Sequence, residues 1–275
     1  MKSIKVLFVS QEITPYLPET NISVIGRALP QGIQEKGKEI RTFMPRWGCI
    51  NERRNQLHEV IRLSGMNLVI NDTDHPLIIK VASIQSARMQ VYFIDNEDYF
   101  HRKYILRDEK KKFFDDNDER AVFFARGVLE TVKKLRWAPD IVHCHGWFTS
   151  FVPILVKRTY KEDPVFSKAK VVFSLYNDSF DKSLDPGLKS KLKLEGITKK
   201  DIELLKTTDY DSIIQFALNY SDGIVFGEDK IKNSLVEHIN NLKKPVLQIP
   251  DKDNYIDPIN NFYDQILNEN SNDKG

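Results

Sequence analysis

The sequence predicts an α/β fold, a mostly parallel sheet with helices on both faces. Three observations predict it. Short aliphatic or β-branched runs alternate with longer segments of helical periodicity, the mark of consecutive βαβ units. Several of those runs lack polar alternation, as strands covered on both faces do. The chain has 275 residues, enough to bury a substantial core without disulfides.

Seven runs make the best strands: KVLFVS (5–10), EIRTFMP (39–45), QVYFID (90–95), DIVHCH (140–145), KVVFSL (170–175), GIVFG (223–227) and PVLQIP (245–250). Residues 68–84 predict a hairpin or meander, because NDTDHP breaks two apolar runs with turn formers. Helices are expected near 21–36, 116–136, 148–160, 199–206, 211–220, 228–240 and 258–268. The second has the clearest period: Val122, Phe123, Ala125, Val128, Leu129, Val132 and Leu135 fall at helical spacing. Asp116, Asp118 and Glu119 suit the positive end of its dipole. Near the end, Ile259, Phe262, Ile266 and Leu267 share a helical face. ENSNDKG then carries no apolar period, which predicts one domain over 1–268 and a disordered tail at 269–275.

Composition excludes several classes. The 41 basic and 39 acidic residues leave a formal charge of +2 and are interleaved, which argues against general nucleic-acid affinity. The runs KKK (110–112) and KSKLKLE (189–195) read as solvated surface. The N-terminal apolar run stops at Ser10 and Gln11, far below the ~20 residues that span a bilayer. With only Cys49 and Cys144, a soluble protein of the reducing cytoplasm is expected, although two cysteines are able to pair. No GxGxxG, P-loop, GxSxG or Cys/His signature is present, and no cofactor is implied.

His143 and His145 lie two apart on a predicted strand and so face the same side, as metal ligands do, but Cys144 faces the other way and no third ligand has metal spacing. No metal site is predicted. The acidic run 115–119 lacks the glycine and distant glutamate of a calcium loop and is explained by helix-start electrostatics. Tyr99, Phe100, Tyr104, Phe113 and Phe114 offer rings that either stack on sugar faces or fill a core.

Longer stretches carry a resemblance. VLFVSQEITPYL, GRALPQGIQEKGKEIRTFMPRWG, VYFIDNEDYFHRKYIL, DDNDERAVFFARGVLE and PDIVHCHGWFTS resemble the N-terminal half of bacterial glycogen synthases and plant starch synthases, enzymes of the GT-B architecture that transfer glucose from a nucleotide sugar to an α-glucan. The likeness runs through two thirds of the chain and then weakens. It implies a single Rossmann-like domain, the N-terminal domain of a GT-B fold. It also implies that His145 lies beside the glucosyl-transfer site as a catalytic-site residue, with Glu12, Trp147, Asn177 and Tyr99 as substrate-binding candidates. Where the family's strand ends in a His-Asn pair, this chain has Tyr176 beside Asn177; Phe226-Gly227 replaces a Val-Ser turn, and Gly146 an aspartate.

The largest departure is the first strand-to-helix crevice, where open α/β sheets bind ligands. The family's loop resembles Glu-x-x-Pro-x-x-Lys-x-Gly-Gly-Leu-x-Asp, its lysine facing the sugar-nucleotide phosphates. An ungapped match anchored on Glu12, Pro15 and Gly26 puts Pro18 at the lysine, Thr20 and Asn21 at the glycines and Val24 at the aspartate. Proline offers neither a cation nor an N–H, and the two new side chains stand where backbone approached the ligand. What remains reads as a helix start with Thr20 or Asn21 as N-cap. Glu12 is either a cleft carboxylate or a local acceptor.

The family's donor-binding C-terminal domain has no counterpart here, so a natural single-domain homologue is expected. Three functions follow. The chain is a degenerate, non-catalytic homologue binding α-glucan or a protein partner at the former interdomain face; or one half of an ADP-glucose-dependent glucosyltransferase completed in trans; or a stand-alone nucleotide or nucleotide-sugar binder, which the missing glycine loop disfavours. Neither nucleic acid nor membrane is an expected partner.

Overall fold

The computed structural model describes residues 3–249 and 254–268. The tail expected at 269–275 lies outside the described residues.

The chain opens with β1 (Lys5–Ser10), α1 (Asn21–Glu35) and β2 (Glu39–Pro45), then β3 (His58–Glu59), β4 (Met66–Ile70), β5 (Thr73–Ile84) and β6 (Met89–Asp95). It continues through α2 (Glu97–Phe100), α3 (Asn117–Lys134), β7 (Ile141–His145), α4 (Val152–Lys157) and β8 (Lys170–Leu175). The last third holds α5 (Leu188–Lys191), α6 (Lys199–Glu203), α7 (Tyr210–Asn219), β9 (Gly223–Phe226), α8 (Asn233–Leu242), β10 (Val246–Gln248) and α9 (Ile256–Asn268).

The strands order as β10-β9-β8-β7-β1-β2-β6-β5-β3, with β4 paired to β5 beside this path. Pairing is parallel from β10 across to β6 and antiparallel from β6 outward. β1 is central, with Val6 aligned to both Ile40 and Ile141. This is the predicted single α/β domain, and all seven predicted strands form, to within a residue or two where described.

Local chemistry explains where the expected elements shift. The hairpin turn narrows to Asn71 and Asp72, both at positive φ (50° and 59°), which is the backbone of a two-residue hairpin loop. β5 then runs straight through Pro76, because pairing with β6 begins only at Ile78 and no ladder donor is needed there. The helix expected over 148–160 starts late: a 3-10 turn covers Trp147–Thr149, and α4 begins at Val152 with Pro153 in its first turn, where a missing N–H is harmless. The helix expected over 228–240 forms as α8 at Asn233–Leu242. The short elements β3, α2 and α5 went unpredicted, being too brief to show a period.

α9 is seated by two glycines. A Cβ on Gly32 would stand 2.4 Å from Ile256 Cδ1, and one on Gly223 2.3 Å from Ile266 Cδ1. Ile259, Phe262 and Ile266 are buried as the sequence expects, Leu267 is only partly so, and Tyr263, one turn from Ile259 on the same face, is fully buried. No helix among the described residues is long and apolar enough to cross a membrane.

Candidate functional site

The carboxyl ends of the parallel strands form the crevice, and the loop after β1 is its first wall. Thr20 is the N-cap of α1 and closes a capping box: its hydroxyl accepts from Ser23 N–H at 3.0 Å, and Ser23 Oγ accepts from Thr20 N–H at 2.8 Å. Thr20 Oγ1 also donates to Glu12 Oε2 at 2.6 Å, and Gln11 Nε2 donates to Glu12 Oε1 at 3.3 Å. Of the two roles open to Glu12 in the sequence, the local acceptor is the one its contacts fill. Gly26 is required behind it, since a Cβ there would lie 2.6 Å from the Glu12 carbonyl. Pro18, Thr20, Asn21 and Val24 are exposed.

Between this loop and the end of β9 lies a pocket of about 390 Å³. Val24, Ile25, Phe226 and Tyr255 give it apolar walls, while Glu19, Glu228 and Asp229 supply three carboxylates; none of its lining residues is Lys or Arg. Asn21 Nδ2 donates to Glu228 Oε1 at 2.9 Å, tying the α1 start to the β9 loop. Gly227 admits the Tyr176 ring, whose Cε1 would lie 2.5 Å from a Cβ placed there.

The second wall is the β7 end. His143 and His145 share a face, ring centroids 4.0 Å apart. His143 is saturated: Nδ1 pairs with Tyr263 Oη at 2.5 Å and Nε2 with Ser174 Oγ at 2.7 Å. His145 pairs Nδ1 with Tyr176 Oη at 2.9 Å, but its Nε2 is buried with no hydrogen-bond partner among the described residues. Burial lowers the pKa of both rings, that of His145 to about 3, so both are neutral. Cys144 faces the other way, as alternation requires, and burial raises its thiol pKa. Cys49 and Cys144 are both free. No group of three metal-ligating side chains occurs among the described residues.

Trp147 follows Gly146, which sits at φ +85°. Its ring is buried against Phe113, Phe148 and Phe180, and its backbone N–H donates to Asp178 Oδ2 at 2.7 Å. Tyr210 Oη donates to Asp178 Oδ1 at 2.7 Å, and burial raises the Asp178 pKa to about 6. Sequence reasoning missed Asp178 and Tyr210; the only signal was the adjacency of Asp178 to Asn177, which is itself exposed at the end of β8.

Tyr99 stands apart from these. It is buried, its hydroxyl pairs with His75 Nε2 at 2.9 Å and donates to Glu119 at 3.1 Å, and its ring packs on Phe100 and Phe123. Phe100 and Phe113 are also buried, which leaves Tyr104 and the partly buried Phe114 as the exposed members of that aromatic group. The acidic run is paired throughout, Asp115 with Lys182, Asp116 with Arg102, and Asp118 and Glu119 with Lys191. The structure therefore gathers Glu12, His145, Trp147 and Asn177 at strand carboxyl ends and sets Tyr99 in the core.

Comparison with known proteins gives the family and the fold. The family model for the starch synthase catalytic domain matches residues 5–241. The glycogen synthase of Chlorobaculum tepidum is 36% identical over 216 residues, covering 75% of this chain and 44% of that protein. That of Chlorobium limicola is 37% identical over 177 residues, 64% of this chain and 36% of that one. A solved structure, the catalytic domain of starch synthase IV from Arabidopsis thaliana bound to ADP and acarbose, superposes with a TM-score of 0.71 at 18% identity, over 90% of this chain and 51% of that one. The chain thus spans about half or less of the length of these relatives, and it belongs to the starch synthase catalytic domain family.

Proposed function

We propose that this chain is a non-catalytic member of the family that binds α-glucan in the crevice. The observation that carries this reading is the polarity of the pocket between α1 and β9: three carboxylates, apolar walls and no cation. A sugar diphosphate brought there meets like charge at short range and finds no fixed positive group to offset its desolvation. A neutral glucan meets acceptors. Its hydroxyls donate to Glu19, Glu228 and Asp229, and its C–H faces lie against Phe226 and Tyr255. The loop that holds donor phosphates in the family is here an N-cap whose polar atoms satisfy one another. Two free cysteines suit the reducing cytoplasm.

Amide shifts of the labelled protein titrated with maltoheptaose, then with ADP-glucose, test this. Saturable shifts at 19–25 and 226–229 with the glucan alone support it; shifts with ADP-glucose alone refute it. A second reading, half of a glucosyltransferase completed in trans by a donor-binding chain, is favoured by the unpartnered Nε2 of His145. It predicts no glucose transfer by this chain alone and transfer once the partner is added.

A further inference from the structure

The opposite edge of the sheet carries a second groove of different chemistry. Ala169, Asp222 and Lys244 lie just before β8, β9 and β10, so this groove opens at the amino ends of the strands, across the sheet from the crevice. It encloses about 590 Å³. Four of its lining residues are cations, Lys157, Arg158, Lys161 and Lys244, against one carboxylate, Asp222.

The internal pairing of these charges leaves an excess. Lys244 is structural: its Nζ donates to the carbonyls of Leu218, Asn219 and Ser221 at 2.6–2.9 Å, capping the C-terminal end of α7. Those carbonyls bring only partial charge, so the ammonium remains a net positive group; burial lowers its pKa to about 8, and a nearby anion would stabilise its charged form. Lys157 bridges Asp222 and the Ala169 carbonyl. The same Asp222 oxygen also accepts from Val171 N–H at 2.6 Å, and its other oxygen faces Lys170 Nζ at 3.8 Å. Arg158 lies over the Tyr220 ring, is ion-paired through Nε to Asp201 Oδ1 at 2.7 Å and donates from Nη1 to the Lys157 carbonyl, which leaves Nη2, beside Tyr220, as the nitrogen turned to neither. Among the described residues the Lys161 ammonium is paired with the exposed Glu162 alone, at 3.8 Å. A guanidinium held in one orientation and an exposed ammonium, backed by two buried or partly buried ammoniums, face one concave space.

We propose that this groove is a binding site for a small molecule bearing a phosphate group, with Arg158 Nη2 and Lys161 as its direct donors and Lys157 and Lys244 as the fixed field behind them. With Nε and Nη1 engaged, Arg158 offers a phosphate the N–H groups of Nη2 alone, and doubly charged anions gain most from the surrounding cations. The wide mouth and the salt-screened position of Lys161 imply weak, ionic-strength-dependent binding. The inference is independent of the glucan reading, which concerns the other edge of the sheet.

The test is an amide-shift titration with pyrophosphate at constant ionic strength, using sodium chloride as the matched control. Shifts confined to 157–161, 219–222 and 244 are expected, with an affinity about tenfold lower in Lys161→Glu and unchanged in Glu228→Gln. Lys161 is exposed, so both proteins should keep the same circular dichroism; Lys161→Ala, expected to lose about half that effect on a logarithmic scale, guards against a reversal artefact. Equal shifts with chloride, an affinity indifferent to Lys161, or binding of a single-stranded oligonucleotide without binding of pyrophosphate would each overturn the proposal.

Discussion

Two strand-to-helix turns at the carboxyl edge of the sheet, the one after β1 and the one after β7, began from the same topological position and ended differently. In the first, the polar side chains are absorbed by one another and by the β9 loop: Glu12 by Thr20 and Gln11, Thr20 by Ser23, and Asn21 by Glu228. In the second, the histidine face persists, and one nitrogen, Nε2 of His145, is left open. A loop is free to change its chemistry because its backbone ends are satisfied by whichever side chain caps the helix. A strand in the middle of a sheet is not, because its side chains are the core. His143 is held by Tyr263 from α9 and Ser174 from β8, so three elements depend on it.

The largest effect should come from that strand. His143→Ala strands two buried hydroxyls, Tyr263 Oη and Ser174 Oγ, and should lower unfolding free energy by about 3 kcal/mol, read by denaturant titration. Gly146→Asp, which restores the residue the family resemblance expects, should cost about 2 kcal/mol. The site needs φ +85°, and a Cβ there would stand 2.5 Å from Gln11 Oε1. No loss of stability in this variant would show that the β7 turn is as adaptable as the β1 loop. Thr20→Ala should cost about 1 kcal/mol, removing the cap and releasing Glu12.

A pH series sharpens the contrast further. His145 has its folded pKa lowered to about 3 from 6.5, so below pH 6.5 the unfolded chain binds the proton that the folded chain refuses. Relative to His145→Gln, the wild type should therefore lose stability as pH falls from 6.5 towards 3, by up to about 1.4 kcal/mol per pH unit. The difference between the two proteins is the quantity to follow, because Asp118 and Asp178, both raised to about 6, act in the opposite sense and cancel in it. The smallest effect concerns the loop: Pro18→Lys with Thr20→Gly and Asn21→Gly should bring no ADP-glucose binding detectable at about 1 mM, since Glu19, Glu228 and Asp229 remain. Binding by this variant would show that the loop alone had silenced the crevice.

Much of this was legible in the residues. Each of the seven strands was visible because buried parallel strands read as unbroken aliphatic runs, and a cap at Thr20 or Asn21 was visible because polar N-caps precede apolar periods, the structure choosing Thr20. The pairing of His143 and His145 on one face followed from alternation alone. Tyr99 was not legible: an aromatic beside a strand end looks the same whether it lines a cleft or fills a core, and only its contacts with His75 and Phe123 place it. Asp178 and Tyr210 were hidden because they meet across 32 residues, a separation at which no local pattern operates.

The sequence by itself determined the α/β class, the strand set, the family and the proline, threonine and asparagine of the first loop that depart from the family resemblance, because each is written in period or in motif over a short span of chain. Only the tertiary structure decided what stands there: the acidic pocket joining residues 19–25 to 226–229, the Nε2 of His145 without a hydrogen-bond partner among the described residues, and the basic groove at the amino edge. Charge and hydrogen-bond satisfaction are properties of neighbourhoods, and a neighbourhood assembled from residues some 200 positions apart, such as Asn21 and Glu228, exists only once the sheet has brought the strand ends together.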